Sequence, residues 1–170
     1  MTQMNNLAFI DSQNMHLSTQ KSSTPWRIDM KRLRVYLAEK YHVNEAYLFI
    51  GAYEPKYQDM YTSFQQYGYI VVFREHGANL TGKKKGNVDV DIVFHVMRML
   101  HENREFDKVV LVSGDGDYKR MVDYLIKINK FEKLLLPSEE NYSSLYKAIT
   151  AEYYAFMDTP SMRVNKRRGI

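Results

Sequence analysis

Short apolar segments alternate along the chain with segments whose apolar positions are spaced three and four residues apart. The apolar segments are typical of buried strands; they are Leu7–Asp11, Ala46–Tyr53, Tyr69–Arg74, Lys108–Val112 and Phe131–Leu136. The spaced segments predict helices; they are one capped by Asp29 with a stripe to Tyr41, one from Pro55 to about Tyr67, Val88–Glu102, one from about Tyr118 to Lys130, and Tyr142–Met157.

Strands separated by helices, several of them apolar on both faces, predict an α/β fold with a mainly parallel five-stranded sheet. Right-handed crossovers favour an open, doubly wound sheet with helices on both faces, and we expect the strand order 3-2-1-4-5. In such sheets ligands bind at the carboxyl ends of the strands where the winding reverses. Asp11 ends the first strand and Asp115 follows the fourth, so the predicted topology brings both to that point.

The bulk composition narrows the class of protein. The 170 residues contain no cysteine, which excludes disulfides and thiolate metal sites. No apolar segment approaches the roughly 20 residues of a membrane helix, and no secretory signal is recognisable, so we expect a soluble cytoplasmic protein without membrane contact. One domain over residues 1–157 is expected. Most of the net charge of +4 lies in residues 158–170, which predict a basic, flexible tail.

Asp11 and Asn14 follow the first apolar strand. A carboxylate at a strand tip is a turn or capping residue or a ligand, and the sequence alone leaves both open. Asn14 could orient Asp11, touch a substrate, or cap a turn.

The helix that begins at Val88 carries an aspartate on its apolar side. At about 100° per residue the apolar residues cover an arc of roughly 140°, and Asp89 lies within it. A buried carboxylate needs a partner, which favours a ligand or catalytic role, although capping stays open. Asp91 falls on the polar side near His95 and Arg98, which predicts a surface ion pair, and His95 is expected to pair with a carboxylate rather than bind metal.

Ser113-Gly114-Asp115-Gly116-Asp117 follows the fourth strand. The glycines permit a sharp turn, and Ser113 can cap the next helix. The two aspartates either are incidental to this turn or bind a cation, because neighbouring carboxylates repel one another unless a cation lies between them. Oxygen ligands alone suit Mg²⁺ or Mn²⁺.

Three ordered motifs are FIDSQNM at 9–15, KGNVDVD at 85–91 and LVSGDGDY at 111–118. On these motifs the sequence resembles the NYN domain family, a branch of the PIN-like nucleases, and within it the LabA-like proteins. The resemblance extends from about Leu7 to Met157. It implies a doubly wound parallel sheet, an acidic site using Mg²⁺ or Mn²⁺, and RNA as the usual substrate. The residues that match the acidic set are Asp11, Asp89, Asp115 and Asp117, with Asn14 at the polar position after the first strand.

The function that this resemblance implies is metal-dependent endoribonuclease activity, with the four aspartates as catalytic and metal-binding residues. Asn14, Asp91 and Ser113 are expected beside them, supporting them or touching substrate. The lysines Lys83, Lys84 and Lys85, in a loop expected to be mobile from His76 to Asn87, would hold the backbone of single-stranded or looped RNA, with Arg74 nearby. A homodimer is left open. The alternatives are a non-catalytic regulatory protein with the same fold and a metal-dependent phosphatase.

Overall fold

The computed structural model describes residues 4–75 and 88–163. The strands are β1 (Asn6–Asp11), β2 (Val43–Ile50), β3 (Tyr69–Phe73), β4 (Val109–Val112), β5 (Phe131–Leu136) and β6 (Tyr154–Phe156). The helices are α1 (Ser12–Gln20), α2 (Met30–Tyr41), α3 (Gln58–Gln66), α4 (Val88–His101) and α5 (Lys119–Lys127). Short 3₁₀ turns lie at Pro55–Tyr57, Gly116–Tyr118, Ser144–Ala148, Ala151–Tyr153 and Pro160–Met162.

All pairs of neighbouring strands in the sheet are parallel, in the order β3-β2-β1-β4-β5-β6. The predicted α/β class and the order 3-2-1-4-5 are confirmed, and β6 extends the sheet beyond β5. β1 and β4 are neighbours, with Ile10 opposite Val112. Their carboxyl ends therefore lie side by side at one edge of the sheet.

The core consists of two apolar layers, one on each face of the sheet. One layer packs α4 and α5 against the sheet through residues such as Ile92 and Leu125. The other packs α2 against the sheet through Leu33 and Leu37. The alternate residues of β1 divide between the layers, because Phe9 lies in the first and Ile10 in the second. The central strands are therefore buried on both faces, as their apolar sequences predict.

Helix starts and stops follow local chemistry. The Asp29 side chain caps α2 by accepting from the Arg32 N–H, as predicted. Pro55 opens the turn before α3, and Gly68 with a φ of 93° ends the segment. The helix α1 was not predicted, because its sequence is mostly polar and of its apolar residues only Met15 is buried.

The predicted closing helix Tyr142–Met157 is wrong. This segment forms two 3₁₀ turns and then β6, whose residues pair with Leu134–Leu136 of β5. Tyr146 and Ile149 are both buried and three residues apart, a spacing that suits a 3₁₀ turn as well as an α-helix. The edge of β5 offers unpaired backbone groups, and pairing with that edge replaces the helical hydrogen bonds.

The first residues of the predicted tail contact the domain. Arg163 forms an ion pair with Asp158, and its guanidinium lies 5.3 Å from the centre of the Trp26 ring. Met162 is buried. The boundary after Met157 stays a prediction, and residues 164–170 lie outside the described part of the chain. Within residues 4–75 and 88–163, no helix has both the length and the apolar character needed to cross a membrane.

Candidate metal centre

Asp11 lies at the tip of β1 with both carboxylate oxygens engaged. Oδ1 caps α1 by accepting from the Asn14 N–H at 2.9 Å. Oδ2 accepts from the Tyr118 hydroxyl at 3.0 Å and, more weakly, from the Ser113 hydroxyl at 3.5 Å. Only 2% of Asp11 is exposed. Burial raises the pKa of this carboxyl, the hydrogen bonds from Asn14 and Tyr118 oppose the rise, and the charge of Asp115 adds to it.

Asn14 ties α1 to the loop after β4. Its side-chain oxygen accepts from the Gly114 N–H at 2.7 Å and from the Ser18 hydroxyl at 3.3 Å. The residue also donates its own N–H to Asp11. Asn14 thus fixes the distance between the two neighbouring strand tips. Its predicted role in orienting Asp11 agrees with these contacts, while a contact with substrate stays a prediction.

The loop from Ser113 to Asp117 is a tight turn with its own hydrogen bonds. The Ser113 hydroxyl accepts from the Asp115 N–H at 3.1 Å, and the Asp115 carboxylate accepts from the Asp117 N–H at 3.0 Å. A Cβ at Gly116 would overlap the side chain of Ser143, which lies directly against the loop. Glycine at this position therefore lets the following segment close over the turn and hold the two aspartates.

The helix α4 brings Asp89 to the same edge. Only 6% of Asp89 is exposed. Its Oδ1 accepts from the Tyr118 hydroxyl at 3.2 Å, whereas its Oδ2 is buried and has no hydrogen-bond partner. One carboxylate oxygen from each of Asp89, Asp115 and Asp117 lies within 4.8 Å of the others. Asp89 is buried, Asp115 is half-buried and Asp117 is exposed, so the group opens to solvent on one side.

Mutual repulsion and burial change the pKa of Asp89 within this group of carboxylates. Burial, together with the charges of Asp115 and Asp11, raises the pKa of Asp89 to about 6. A buried carboxylate oxygen without a donor costs free energy unless a positive charge compensates it. The donors are all carboxylate oxygens, which is the set that Mg²⁺ and Mn²⁺ prefer. The residues present therefore fit a hard divalent cation.

Comparisons with known proteins identify the family of this chain. The sequence model of the NYN domain matches residues 7–155. The chain belongs to the NYN family. The low amplitude and bright protein LabA of Synechococcus elongatus is 29% identical to it over 126 residues. That alignment covers 69% of this chain, and the chain spans only 65% of the length of LabA.

A solved structure shares the fold of this NYN domain. It is the crystal structure of a protein of unknown function from Vibrio parahaemolyticus, with a TM-score of 0.72 and 20% sequence identity. The match covers 95% of this chain and 97% of the other. At this identity the likeness concerns the fold alone, and it extends over nearly the whole NYN domain.

The NYN domain places two predicted neighbours of the site differently. Across residues 4–75 and 88–163, Asp91 forms no ion pair with His95 or Arg98, so the predicted surface pair is wrong. The His95 ring instead packs on the rings of Phe9 and Tyr47, with centroids 5.9 and 5.1 Å away. Burial lowers the pKa of His95, and the charge of Arg98 adds to this. His95 is a packing residue beside the site.

The basic residues expected to hold RNA divide into two groups. Lys83, Lys84 and Lys85 lie outside the described residues, and their role stays a prediction, as does the mobility of His76–Asn87. Arg74 follows β3 at the carboxyl edge of the sheet and is half-buried, and its Nη1 has no hydrogen-bond partner. This Nη1 atom is buried, so it is not exposed at the edge that carries the aspartates.

Tyr118 is the residue of this site that the sequence prediction missed. Its side chain is fully buried, and its hydroxyl contacts both Asp11 and Asp89. Burial raises the pKa of the Tyr118 hydroxyl, and the two carboxylates raise it further. The signal was present in the sequence, because a tyrosine at a core position needs a polar partner for its hydroxyl and aspartates lie close by.

Proposed function

We propose that this NYN domain is a divalent-metal-dependent ribonuclease that hydrolyses phosphodiester bonds of single-stranded or looped RNA. The observation that carries the proposal is the buried Oδ2 of Asp89, which has no donor and belongs to a carboxylate grouped with Asp115 and Asp117. Structural acids that only cap turns are satisfied by backbone N–H groups. An oxygen left without such a donor calls for a cation, and the site leaves one face open for a substrate.

The three aspartates share one task in this proposal, and Asp117 has a second. Asp89, Asp115 and Asp117 hold the cation with one oxygen each. Bound Mg²⁺ or Mn²⁺ would supply a Lewis acid that neutralises charge developing on the phosphate. Asp117 is the exposed member, so its carboxylate orients the attacking water and accepts its proton. Asp115 is held in place because its carboxylate accepts from the Asp117 N–H and its carbonyl accepts from the Tyr146 hydroxyl.

RNA is the proposed substrate because, among the described residues, the aspartate group opens to solvent on the side of Asp117. The exposed side of the aspartate group gives an extended chain room to pass, and splayed nucleotides fit such an edge. Arg74 is half-buried directly after β3, and its positive charge favours a phosphate near this edge. The family resemblance also favours RNA. The expected products carry a 5′-phosphate and a 3′-hydroxyl.

The test is cleavage of a generic fluorescent single-stranded RNA by purified protein in Mn²⁺, in Mg²⁺ and in EDTA. Two variants accompany the parent protein. Asp115→Asn keeps the oxygen that accepts from Asp117 but removes a charge from the metal group. Asp107→Asn removes an exposed carboxylate that accepts from the Asn5 N–H, next to the amino end of β4. It controls for the loss of one negative charge away from the site.

The proposal expects cleavage with either metal by the parent protein and by Asp107→Asn, and none with EDTA. Asp115→Asn should lose at least 100-fold in rate. Equal cleavage by Asp115→Asn and the parent would point to a contaminating nuclease and contradict the proposal. Metal binding without any RNA cleavage would favour the regulatory alternative. Hydrolysis of p-nitrophenyl phosphate, with no cleavage of RNA, would favour the phosphatase.

A further inference from the structure

Four aromatic rings form a cluster beside the carboxyl ends of β2 and β3. The two inner rings, Tyr61 and Phe73, have centres 4.9 Å apart, and Tyr61 is buried. The Tyr53 ring lies 5.6 Å from Tyr61 and 5.3 Å from Phe73, and the Tyr57 ring lies 6.5 Å from Tyr61. Tyr53 is 47% exposed and Tyr57 is 42% exposed. The inner rings therefore support an exposed aromatic platform, which consists of Tyr53 and Tyr57.

Hydrogen bonds hold this cluster in place. The Tyr53 hydroxyl donates to Gln58 Oε1 at 2.7 Å, and the Tyr61 hydroxyl accepts from the Glu54 N–H at 3.3 Å. The contacts of Tyr53 with the inner rings are tilted or perpendicular, so within the described part of the chain no ring is stacked in parallel on it. A ring that is already fixed loses little conformational freedom when a ligand binds. The platform is therefore a preorganised surface on which another flat ring can stack.

The loop that carries the platform is attached to the elements of the metal centre. Asp11 at the tip of β1 pairs with Phe49 of β2, and Gly51 follows Phe49 by two residues. A Cβ at Gly51 would overlap the side-chain amide of Gln13 in α1, so the loop packs closely on the helix that Asp11 caps. The Gly51 carbonyl also accepts from the Arg74 N–H at 3.1 Å. The platform therefore lies on the edge of the sheet that carries the aspartates.

The charges on the platform balance one another. Lys56 Nζ lies 4.8 Å from the centre of the Tyr57 ring, and it forms an ion pair with Glu54 at 2.9 Å. The platform thus offers exposed ring area rather than a concentration of positive charge. Phosphates are held mainly by positive charge, whereas bases stack on exposed aromatic rings. The chemistry of this surface therefore favours bases over phosphates.

We propose that Tyr53 and Tyr57 form a stacking site for unpaired bases of an RNA whose backbone reaches the aspartate group. The site contacts the flat faces of bases, so it accepts splayed bases of single-stranded or looped RNA and not bases stacked within a duplex. Every base has such a face, so little sequence preference is expected. This inference rests on the proposed function and gives it a source of selectivity for unpaired RNA, which the carboxylates alone do not supply.

The primary experiment measures binding of a short fluorescein-labelled oligoadenylate to the full chain by fluorescence anisotropy, with a chelator present so that no cleavage occurs. A second oligonucleotide has the same sugar-phosphate backbone with abasic sites in place of the adenines. Tyr53→Leu and Tyr57→Leu each replace a ring by an apolar side chain. Loss of one stacked base typically weakens binding about 5- to 100-fold, and we expect each variant to lose oligoadenylate affinity in that range. The abasic oligonucleotide should bind the variants and the parent equally.

Two control variants separate stacking from other effects of the substitutions. Tyr67→Leu is the matched control, because Tyr67 is 37% exposed and precedes β3, at the opposite edge of the parallel sheet; it should bind oligoadenylate as the parent does. Tyr53→Phe loses the hydroxyl that donates to Gln58 but keeps the ring, so it should restore most of the affinity that Tyr53→Leu loses. Thermal unfolding of each variant checks that it is folded.

Salt dependence and kinetics give two further readouts. Added salt should weaken oligoadenylate binding by every protein, because phosphate contacts release counterions. The ratio of dissociation constants between Tyr53→Leu and the parent should stay unchanged, because stacking involves no such release. With Mn²⁺ present, Tyr53→Leu should raise the KM for RNA and keep kcat at saturating RNA, as expected when binding is lost equally from the bound substrate and the transition state.

The outcomes separate this inference from the proposed function. Oligoadenylate binding by Tyr53→Leu and Tyr57→Leu that equals that of the parent, or no binding by the parent, would refute the stacking site even if RNA is cleaved. Equal weakening with the abasic oligonucleotide would also refute it. A change only in self-association, measured by sedimentation velocity, would assign the platform to a second copy of the chain instead. Base-dependent binding without Mn²⁺-dependent cleavage would support the stacking site and refute the ribonuclease.

Discussion

Replacement of Asp89 by Asn should change the way the stability of the metal-free protein depends on pH. The pKa of Asp89 is raised from 3.8 to about 6 in the folded protein, first by burial and then by the charges of Asp115 and Asp11. A shift of about 2 units corresponds to at most about 3 kcal/mol. Asn is uncharged at every pH, so the variant lacks this contribution.

The sign follows from proton binding. The folded state holds the Asp89 proton more tightly than the unfolded state does, so Asp89 stabilises the fold most when it is protonated in both states, below about pH 4. That contribution falls as the pH rises and is lost above about pH 6. Between pH 4.5 and pH 8 the parent should therefore lose about 2 kcal/mol of stability that Asp89→Asn does not lose.

The measurement is urea unfolding of metal-depleted protein, with a chelator present, at pH 4.5 and at pH 8. The difference in unfolding free energy between Asp89→Asn and the parent should shift by about 2 kcal/mol in favour of the variant at the higher pH. Asp107→Asn is measured alongside to show the effect of removing an exposed carboxylate next to the amino end of β4. A difference that is the same at both pH values would refute the claim that Asp89 is buried among like charges.

Three further outcomes are expected. Mn²⁺ at 100 times its dissociation constant should stabilise the parent protein by about 2.7 kcal/mol, which is measured as a higher Tm. Asp115→Asn should lose this gain, and without metal it should be more stable than the parent because one repelling charge is gone. An equal gain in both proteins would argue against the metal centre. Asp91→Asn should reduce RNA cleavage less than Asp89→Asn does, because Asp91 is only partly buried and lies outside the aspartate group; equal loss in two folded variants would contradict this ranking. Ile92→Ala should destabilise the domain by about 3 kcal/mol in urea unfolding, because the Ile92 side chain is fully buried between α4 and the sheet. A loss below about 1 kcal/mol would show that the surrounding core closes around the deleted atoms.

The strand order and the meeting of the aspartates at one edge were predictable because both follow from long, strong patterns. Apolar strands that alternate with amphipathic helices leave few parallel topologies, and the switch in winding between β1 and β4 then sets the edge. The burial of Asp89 was predictable as well, since its position on the helical wheel is fixed by Ile92 and Val96. These inferences need no knowledge of individual side-chain contacts.

What the sequence could not show depends on contacts between distant segments. Residues 142–157 form 3₁₀ turns and β6 because the edge of β5 is free to pair with them. Local periodicity in the sequence does not show that this edge is free. The position of His95 among aromatic rings depends on which faces of β1 and β2 meet α4. The bridge from Tyr118 to Asp11 and Asp89 joins three segments, and its geometry appears only when all three are packed.

The pairing of β1 with β4 has a consequence for the order of events during synthesis. The Ser113 and Asp11 side chains that meet at the strand tips are 102 residues apart in the chain. Parallel pairing over such a distance slows folding, because the entropy of closing the long intervening loop must be lost before the contacts form. A ribosome that has made β1, α2 and β2 has made none of Asp89, Asp115 and Asp117. The aspartate group is therefore complete only after α4, β4 and the loop to Asp117 have left the exit tunnel.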